Sequence, residues 1–292
     1  MSRHLPVLSP SPRDAAWLKR EADERTRIAA AAADGRTHVE VDVSVYDLIV
    51  INTSGGKDSV VALDRVVPLA IAAGVLDRVV VVHCDLGRVE WEGTRELAER
   101  QAARYGLPLH VVARDRDLLS QVEHERGKWP AKGMAQFCTS DQKTAQVRKL
   151  ITAELRRIRK GRGLPARACL RVLECLGMRA GESGSRSKLA PFQRSSKVRS
   201  NGSRDVDVWL PIFALRSRDV WAAIDERGLD YHEAYDLGMS RLSCAFCVLA
   251  SKDDLTVSAR ANPALLAEYI RVEKAIGHTF KNGWAIATLE TI

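Results

Sequence analysis

Several things are scarce in this 292-residue chain, and each scarcity narrows the reading. No apolar run approaches the roughly 20 residues that a bilayer-crossing helix needs, and the opening "MSRHLPVLSPSPRDAAW" has no continuous apolar stretch of the signal-peptide kind. We therefore expect a cytoplasmic protein with no membrane association. No internal repeat is found. A Walker phosphate loop is also lacking: Ile51 stands where that pattern wants its first glycine, and Asp58 follows Lys57 where it wants Ser or Thr. Negative charge is in short supply, with 37 Asp and Glu against 45 Lys and Arg, a net +8. Cysteine is sparse too, and six in a reducing compartment argue for metal or redox chemistry over structural disulfides.

What is present begins with "VINTSGGKDSVVAL", Val50 to Leu63. Tyr46 to Asn52 reads as a buried strand, and Val60, Val61, Leu63, Val66 and Val67 have the spacing of a helix lying on a sheet. Gly55 and Gly56 thus sit at a strand-to-helix turn, where a ligand can approach the main chain and the first amides of the helix point outward. Such a turn suits an anion. Lys57 adds a positive charge and Ser54 and Ser59 add hydroxyls, which favours polyphosphate over carboxylate.

Three further clusters carry chemistry. In "VVVVHCDLG", His83 and Asp85 fall at the C-terminal end of a second strand, the edge where open α/β sheets bind ligands. Asp85 could hold Mg²⁺ against phosphates, or simply open the turn Asp-Leu-Gly. In "GMRAGESGSRSK", Gly177 ends another strand, and Arg179, Glu182, Ser183 and Arg186 follow; paired arginines suit phosphate or sulfate, surface ion pairing being the plainer use. In "GMSRLSCAFCVLA", Cys244 and Cys247 have CxxC spacing, compatible with a redox dithiol, half a zinc site or part of an iron–sulfur cluster, and Cys138 could supply a third thiolate. Cys175 and Cys169 read as core residues.

Alternating strand and helix patterns (strand 46–53, helix 58–74, strand 77–83, helix 89–105, strand 107–113, then a helix to about 159 and strand 170–176) predict an α/β fold: an open, mostly parallel twisted sheet with helices on both faces. We expect a helical extension over 1–45, the sheet domain over 46–250 and a helical segment over 251–292. Two stretches, 115–139 and 188–205, read as long loops, the second mobile or ordered by ligand. Two basic runs stand out: Arg156, Arg157, Arg159, Lys160, Arg162 and Arg167, and then Arg186, Lys188, Arg194, Lys197, Arg199 and Arg204. Either could hold nucleic-acid phosphates, and the first serves equally as the solvated end of a helix.

The colinear order Ser-Gly-Gly-Lys-Asp-Ser, His-x-Asp, Phe-Cys-Thr, Gly-x-Arg-x-x-Glu-Ser-x-x-Arg and a late CxxC resembles the phosphoadenosine-phosphosulfate (PAPS) reductase family of the adenine-nucleotide α-hydrolase, or PP-loop, superfamily, over roughly residues 46–250. The resemblance implies that Ser54, Gly55, Gly56, Lys57, Asp58 and Ser59, with His83, Gly177, Glu182 and Ser183, bind ATP. It implies catalytic roles for Lys57, Asp58, Asp85, Arg179 and Arg186. It also implies cleavage of Mg-ATP to AMP and pyrophosphate, a [4Fe–4S] cluster or zinc on Cys138, Cys244 and Cys247, and Mg²⁺ on Asp85. Sulfonucleotide reductases usually have a degenerate phosphate loop and a nucleophilic cysteine near the C-terminus, whereas here the loop is intact and no cysteine follows Cys247. Phe137 replaces one cysteine of the Cys-Cys pair in cluster-bearing relatives. The motif layout is most similar to ATP pyrophosphatases of DNA phosphorothioation of the DndC or SspD type, with tRNA thiolases more distant. That similarity implies a nucleic-acid partner, DNA over tRNA, and a sulfur-donor protein such as a cysteine desulfurase, and leaves a homodimer open. The rival readings are a sulfonucleotide reductase that uses a partner's thiol and a non-catalytic nucleotide-binding subunit of a defence complex.

Overall fold

The computed structural model describes residues 15–131, 136–196 and 199–290. Lys197 of the second basic run, residues 132–135 of the first long loop and residues 1–14 of the extension lie outside them. Six strands form one sheet: β1 (Leu48–Thr53), β2 (Val79–Asp85), β3 (Leu109–Ala113), β4 (Leu170–Leu176), β5 (Phe192–Gln193) and β6 (Arg204–Trp209). Their order is β3-β2-β1-β4-β6-β5, parallel throughout except that the edge strand β5 runs antiparallel to β6.

Successive side chains of a strand point to opposite faces, and here both faces are covered, so β1 is apolar along nearly its whole length. Ile49 and Ile51 meet Leu63, Val66 and Val67 of helix α2 (Lys57–Ala72), with Ala102 of α3 (Thr94–Ala103) in the same cluster. Leu48 and Val50 meet Val147, Ile151 and Leu155 of a helix on the other face (Ala145–Gly161). Helices therefore cover both faces, as the alternation of patterns predicts. A parallel sheet whose order reverses at β1 and β4 opens a crevice outside their C-terminal ends.

Both stretches read as loops hold more structure than expected. Residues 118–126 form helix α4 (Leu118–Gln121) and a wide turn, Val122–Arg126, and the segment resumes with α5 (Phe137–Thr139), the wide turn Ser140–Thr144 and then α6, the Ala145–Gly161 helix. Asp117 caps α4 by accepting from the Ser120 amide at 2.7 Å, while Leu118, Leu119 and Val122 bury one side of it. The 188–205 stretch is tied down by buried carboxylates: Asp207 accepts from the Ser195 amide at 2.8 Å, and Glu174 holds Arg199. Cys169 is exposed rather than core, whereas Cys175 is fully buried.

The amino-terminal helix α1 (Ala15–Ala33) lies on the turn after β4, through Ile28 and Ala31 against Ala180 and Phe213. Helix α7 (Ser217–Arg227) packs on α2. Helices α8 (Lys252–Ala261) and α9 (Pro263–Ile276) share a core with α4, Phe137 and the CxxC segment. In that core Trp129 stacks on Tyr269 with centroids 5.2 Å apart, so the C-terminal helices help to wall the cysteine region. No helix among the described residues is long and apolar enough to cross a membrane.

Candidate functional site

The Ser54–Ser59 turn lies at the crevice between β1 and β4, with Gly56 as N-cap of α2. Gly55 has φ +69°, and a Cβ there would sit 3.1 Å from the Thr94 carbonyl oxygen, so this position requires glycine on two counts. Gly177 is required for another reason. A Cβ on it would lie 3.0 Å from the Asp58 carbonyl and the Ser59 Cα, so its lack of a side chain lets the end of β4 close onto the start of α2.

Some of the expected anion donors are already engaged. The Ser54 amide donates to Ser59 Oγ (3.2 Å), the Gly55 amide to Thr53 Oγ1 (3.3 Å) and the Lys57 amide to Tyr235 Oη (3.1 Å). Ser59 Oγ also donates to the Gly56 carbonyl at 2.8 Å, so this buried hydroxyl braces the turn from within rather than facing a ligand. The amides of Gly56, Asp58 and Ser59 have no acceptor among the described residues, and no side chain caps α2. These three donors at a helix start are what a phosphate can use. Close by, Trp91 Nε1 and Thr94 Oγ1 are buried without hydrogen-bond partners and line a cleft of about 370 Å³ that includes Asp85. Orphaned donors next to free amides fit a polar ligand such as a nucleotide.

The charges form a chain. Lys57 is 2 % exposed, and its ammonium lies 2.8 Å from Asp58 Oδ2; Arg179 Nε reaches Asp58 Oδ1 at 2.6 Å; and Arg179 Nη1 reaches Glu24 Oε1 of α1 at 2.5 Å. Burial alone would drive the Lys57 proton off, but the Asp58 carboxylate outweighs it, and the lysine pKa is raised. Burial likewise works against ionised Asp58, and Lys57 and Arg179 together overcome it and hold its pKa well below the usual range. Lys57 is therefore a fixed positive charge at the turn.

Arg179, expected to orient substrate, is instead a buried strut between two carboxylates, which together with Lys57 and Asp58 makes a four-membered ion network. Glu182 accepts from the Arg179 amide at 2.9 Å and pairs with Arg186, and Ser183 Oγ accepts from the Arg186 amide at 3.2 Å. Glu182 and Ser183 thus shape their own loop, and Arg186, half-buried at its rim beside Glu182, keeps access to solvent, whereas Arg179 is buried. Glu24 is a residue that sequence reasoning missed. It also accepts from the Ser217 amide at the start of α7 (3.0 Å), and the only signal was a carboxylate in a helix outside the motif-bearing region.

His83, expected to meet the nucleotide, is held by its own neighbours. It is 1 % exposed, with Nδ1 3.2 Å from the Thr53 carbonyl and Nε2 3.0 Å from Glu90. Burial opposes its charged form, but two acceptors on its two nitrogens outweigh that and raise its pKa above 6.5. A raised histidine pKa stabilises the fold fully below about 6.5 and progressively less as pH rises through the folded value. In an NMR titration His83 is expected to titrate above 6.5 and, in Glu90→Gln, to move down; an unmoved midpoint would remove Glu90 as the cause. Asp85 opens the turn, Oδ1 accepting from the Gly87 amide at 2.7 Å, and it faces the 370 Å³ cleft.

Tyr235, also unforeseen, joins the two halves of the site. Its buried hydroxyl accepts from the Lys57 amide and from the Leu242 amide, both at 3.1 Å, and its ring lies 5.5 Å from the Lys57 ammonium. Tyr235→Phe leaves two amides without that acceptor and is expected to cost about 1–3 kcal/mol. Equilibrium denaturation checks the value, and no loss would mean that water replaces the hydroxyl.

Cys138, Cys244 and Cys247 pack against one apolar cluster. Burial pushes the Cys244 thiol up to about 12, with Cys247 and Cys138 adding to the effect, and burial raises Cys138 as well. Among the described residues, no three His, Cys, Asp or Glu side chains converge as they would on a single metal ion. Zinc, which needs its sulfurs about 2.3 Å from one centre, does not fit this arrangement, and neither does a preformed Mg²⁺ cage on Asp85. Thiolates are the donor type that an iron–sulfur cluster takes, and Cys138, Cys244 and Cys247 lie along one apolar wall.

The sequence model of the phosphoadenosine phosphosulfate reductase domain matches residues 48–250. The chain belongs to this family. No curated protein matches it. Among solved structures it is similar to Candida glabrata FMN adenylyltransferase in complex with FMN and the ATP analogue AMPCPP: 14 % identity over 82 % of this chain and 68 % of that one, TM-score 0.41. It is also similar to the phosphoadenylyl-sulfate reductase of Candida auris, in a phosphate complex, at 16 % identity over 81 % and 97 %, TM-score 0.39. A third is the U34-tRNA thiolase NcsA of Methanococcus maripaludis with its [4Fe–4S] cluster, at 14 % identity over 92 % and 80 %, TM-score 0.39. Membership in the PAPS reductase domain family rests on the sequence match, and it places the turn, the Arg179 loop and the CxxC segment inside one domain.

Proposed function

We propose that this family member is an ATP pyrophosphatase that adenylates a substrate oxygen so that sulfur can replace it in a nucleic acid, with DNA phosphate favoured over a tRNA base. The observation that carries the reading is the intact turn: a buried Lys57 held in its charged form beside three unpartnered amides. The substrate oxygen attacks the α-phosphorus of ATP, the bond to the β-phosphate bridging oxygen breaks, and pyrophosphate leaves with the electron pair. A sulfur nucleophile then attacks the activated atom, and AMP departs with the oxygen. Lys57 and the amides of Gly56, Asp58 and Ser59 stabilise the charge gathering on pyrophosphate. Asp58 and Arg179 hold Lys57 in place, and Arg186 is positioned to meet a substrate phosphate. Mg²⁺ arriving with ATP would share the phosphate charge, and Asp85, in the cleft lined by Trp91 and Thr94, would be the carboxylate to receive it. Cys138, Cys244 and Cys247 would hold a [4Fe–4S] cluster, which would supply sulfide carriage. A sulfur-donor protein of the cysteine desulfurase type completes the supply.

The family match favours a second reading, sulfonucleotide reduction with a partner's thiol. Calorimetry of the anaerobically purified protein with Mg-ATP and with PAPS separates the two. Preference for ATP, followed by pyrophosphate release that depends on DNA or tRNA and sulfide, supports the first reading. Preference for PAPS without pyrophosphate release from ATP overturns it.

A further inference from the structure

A second cleft lies away from the nucleotide turn. It has a volume of about 860 Å³ and is bounded by the C-terminal half of α6, the segment 162–169 that follows it and the turn that enters β6. It opens at the N-terminal ends of β4 and β6, whereas the Ser54–Ser59 turn follows the C-terminal end of β1. The seven residues of β4 put about 20 Å of sheet between them.

Five cations line this cleft, Arg156, Arg159, Lys160, Arg167 and Arg204, and no carboxylate does. They divide by role. Arg159 and Arg204 are buried and build the walls: Arg159 Nε donates to the Ala168 carbonyl at 2.9 Å and a second nitrogen to the Ser203 carbonyl, while Arg204 donates to the Arg199 carbonyl and to Thr152 Oγ1, both at 2.9 Å. Neither is neutralised by these oxygens. Arg156, Lys160 and Arg167 are exposed and have no ion-pair partner among the described residues. Their neighbours in the same basic run behave differently. Arg157, turned away from the cleft, pairs with Glu154 at 2.8 Å, and Arg162 pairs with Asp47. Were the run only a solvated helix end, its cations would be expected to divide without regard to the cleft. Instead, the exposed cations facing the concavity are the unpaired ones, and no carboxylate lines it.

We propose that this groove docks the phosphate backbone of a nucleic acid. Guanidinium groups bind phosphate oxygens through paired hydrogen bonds, and Arg156 and Lys160, four residues apart on α6, present adjacent charges along one helix face. A concave surface suits a strand or duplex edge better than a flat lipid surface. The proposal extends the sulfuration reading, on which it rests only in that the docked nucleic acid is also the sulfur acceptor. It adds a second anchoring surface, separate from the nucleotide crevice.

The test is fluorescence anisotropy of the full chain with a labelled 24-base-pair DNA duplex and with a transcribed tRNA, from about 50 to 300 mM salt. The triple variant Arg156→Glu, Lys160→Glu, Arg167→Glu is expected to lose at least about tenfold in affinity, with the salt slope shallower by about 3. A control carrying the same charge change elsewhere, Lys19→Glu, Arg100→Glu, Lys274→Glu, is expected to lose less than about threefold. Loss with DNA alone, with tRNA alone or with both supports the groove and says which polymer it takes. Equal loss in the two triple variants, or unchanged binding in the first, overturns it. Mg-ATP binding by calorimetry should stay unchanged in the first variant and reports its folding; if it does not fold, the neutral pair Arg156→Gln, Arg167→Gln replaces it, with a smaller loss expected and no loss overturning the groove. Were the wild type to bind nucleic acid through the groove yet release no pyrophosphate with it, the sulfuration reading would fall and the groove would stand.

Discussion

Lys57→Met is expected to slow pyrophosphate release from Mg-ATP by about 10²- to 10³-fold, the usual cost of removing one preorganised charge from a site of developing negative charge. The substitution keeps the stem's volume at a position only 2 % exposed, and it leaves Asp58 ion-paired to Arg179 at 2.6 Å, so the fold should survive. The loss should then appear in single-turnover rate more than in ATP affinity, because the Gly56, Asp58 and Ser59 amides still hold ground-state phosphate. Rapid-quench measurement of pyrophosphate, paired with calorimetry of ATP binding, reads the two effects separately. An unchanged rate would take Lys57 out of the reaction and favour a nucleotide-binding subunit without turnover.

The position of that lysine was legible in the sequence because it depends on local rules: an apolar run with period 2, two glycines and an apolar run with helical spacing. The same rules placed β4 at its observed ends, 170–176, and Gly177 just beyond. What local pattern could not supply is which partner a polar side chain takes across the fold. His83 looks like a ligand contact because it ends a strand, yet Glu90 and the Thr53 carbonyl occupy both ring nitrogens. Arg179 looks like a phosphate clamp, yet Glu24, 155 residues away in sequence, holds one of its nitrogens. Tyr235 had no motif around it at all. Helix α4 and the wide turn after it were missed for a different reason, since a loop-like composition hid the Asp117 cap and the Leu118, Leu119, Val122 face.

These long-range partners brace the turn from outside its own segment. Tyr235 pins the Lys57 amide to the segment that carries Cys244 and Cys247, while Glu24 ties Arg179 to α1 and α7. The Lys57 charge and the CxxC segment are thus parts of one braced unit. A nucleotide meeting Lys57 would not have to organise it first, which is how a fixed charge acquires its catalytic value in a low-dielectric site.

Asp58→Asn is expected to be the most destabilising single change at the site, by about 3–5 kcal/mol, because it leaves Lys57 and Arg179 buried and facing each other with Glu24 as the one remaining carboxylate among the four charges. Asparagine preserves shape and a hydrogen-bond acceptor, so the loss isolates charge. The double variant Lys57→Met, Asp58→Asn should be more stable than Asp58→Asn alone, since one orphaned cation is gone; denaturation of the wild type, both single variants and the double variant gives that coupling directly. The pH dependence has a definite sign. Asp58 has a depressed pKa in the fold, so its stabilisation is present above the ordinary carboxylate range and is lost as pH falls through the lower folded value. The stability gap between wild type and Asp58→Asn should therefore be widest near neutrality and close as the solution is acidified. A gap below about 1 kcal/mol at neutral pH would mean that water or Glu24 already compensates the two cations, and that Asp58 is not what keeps Lys57 charged.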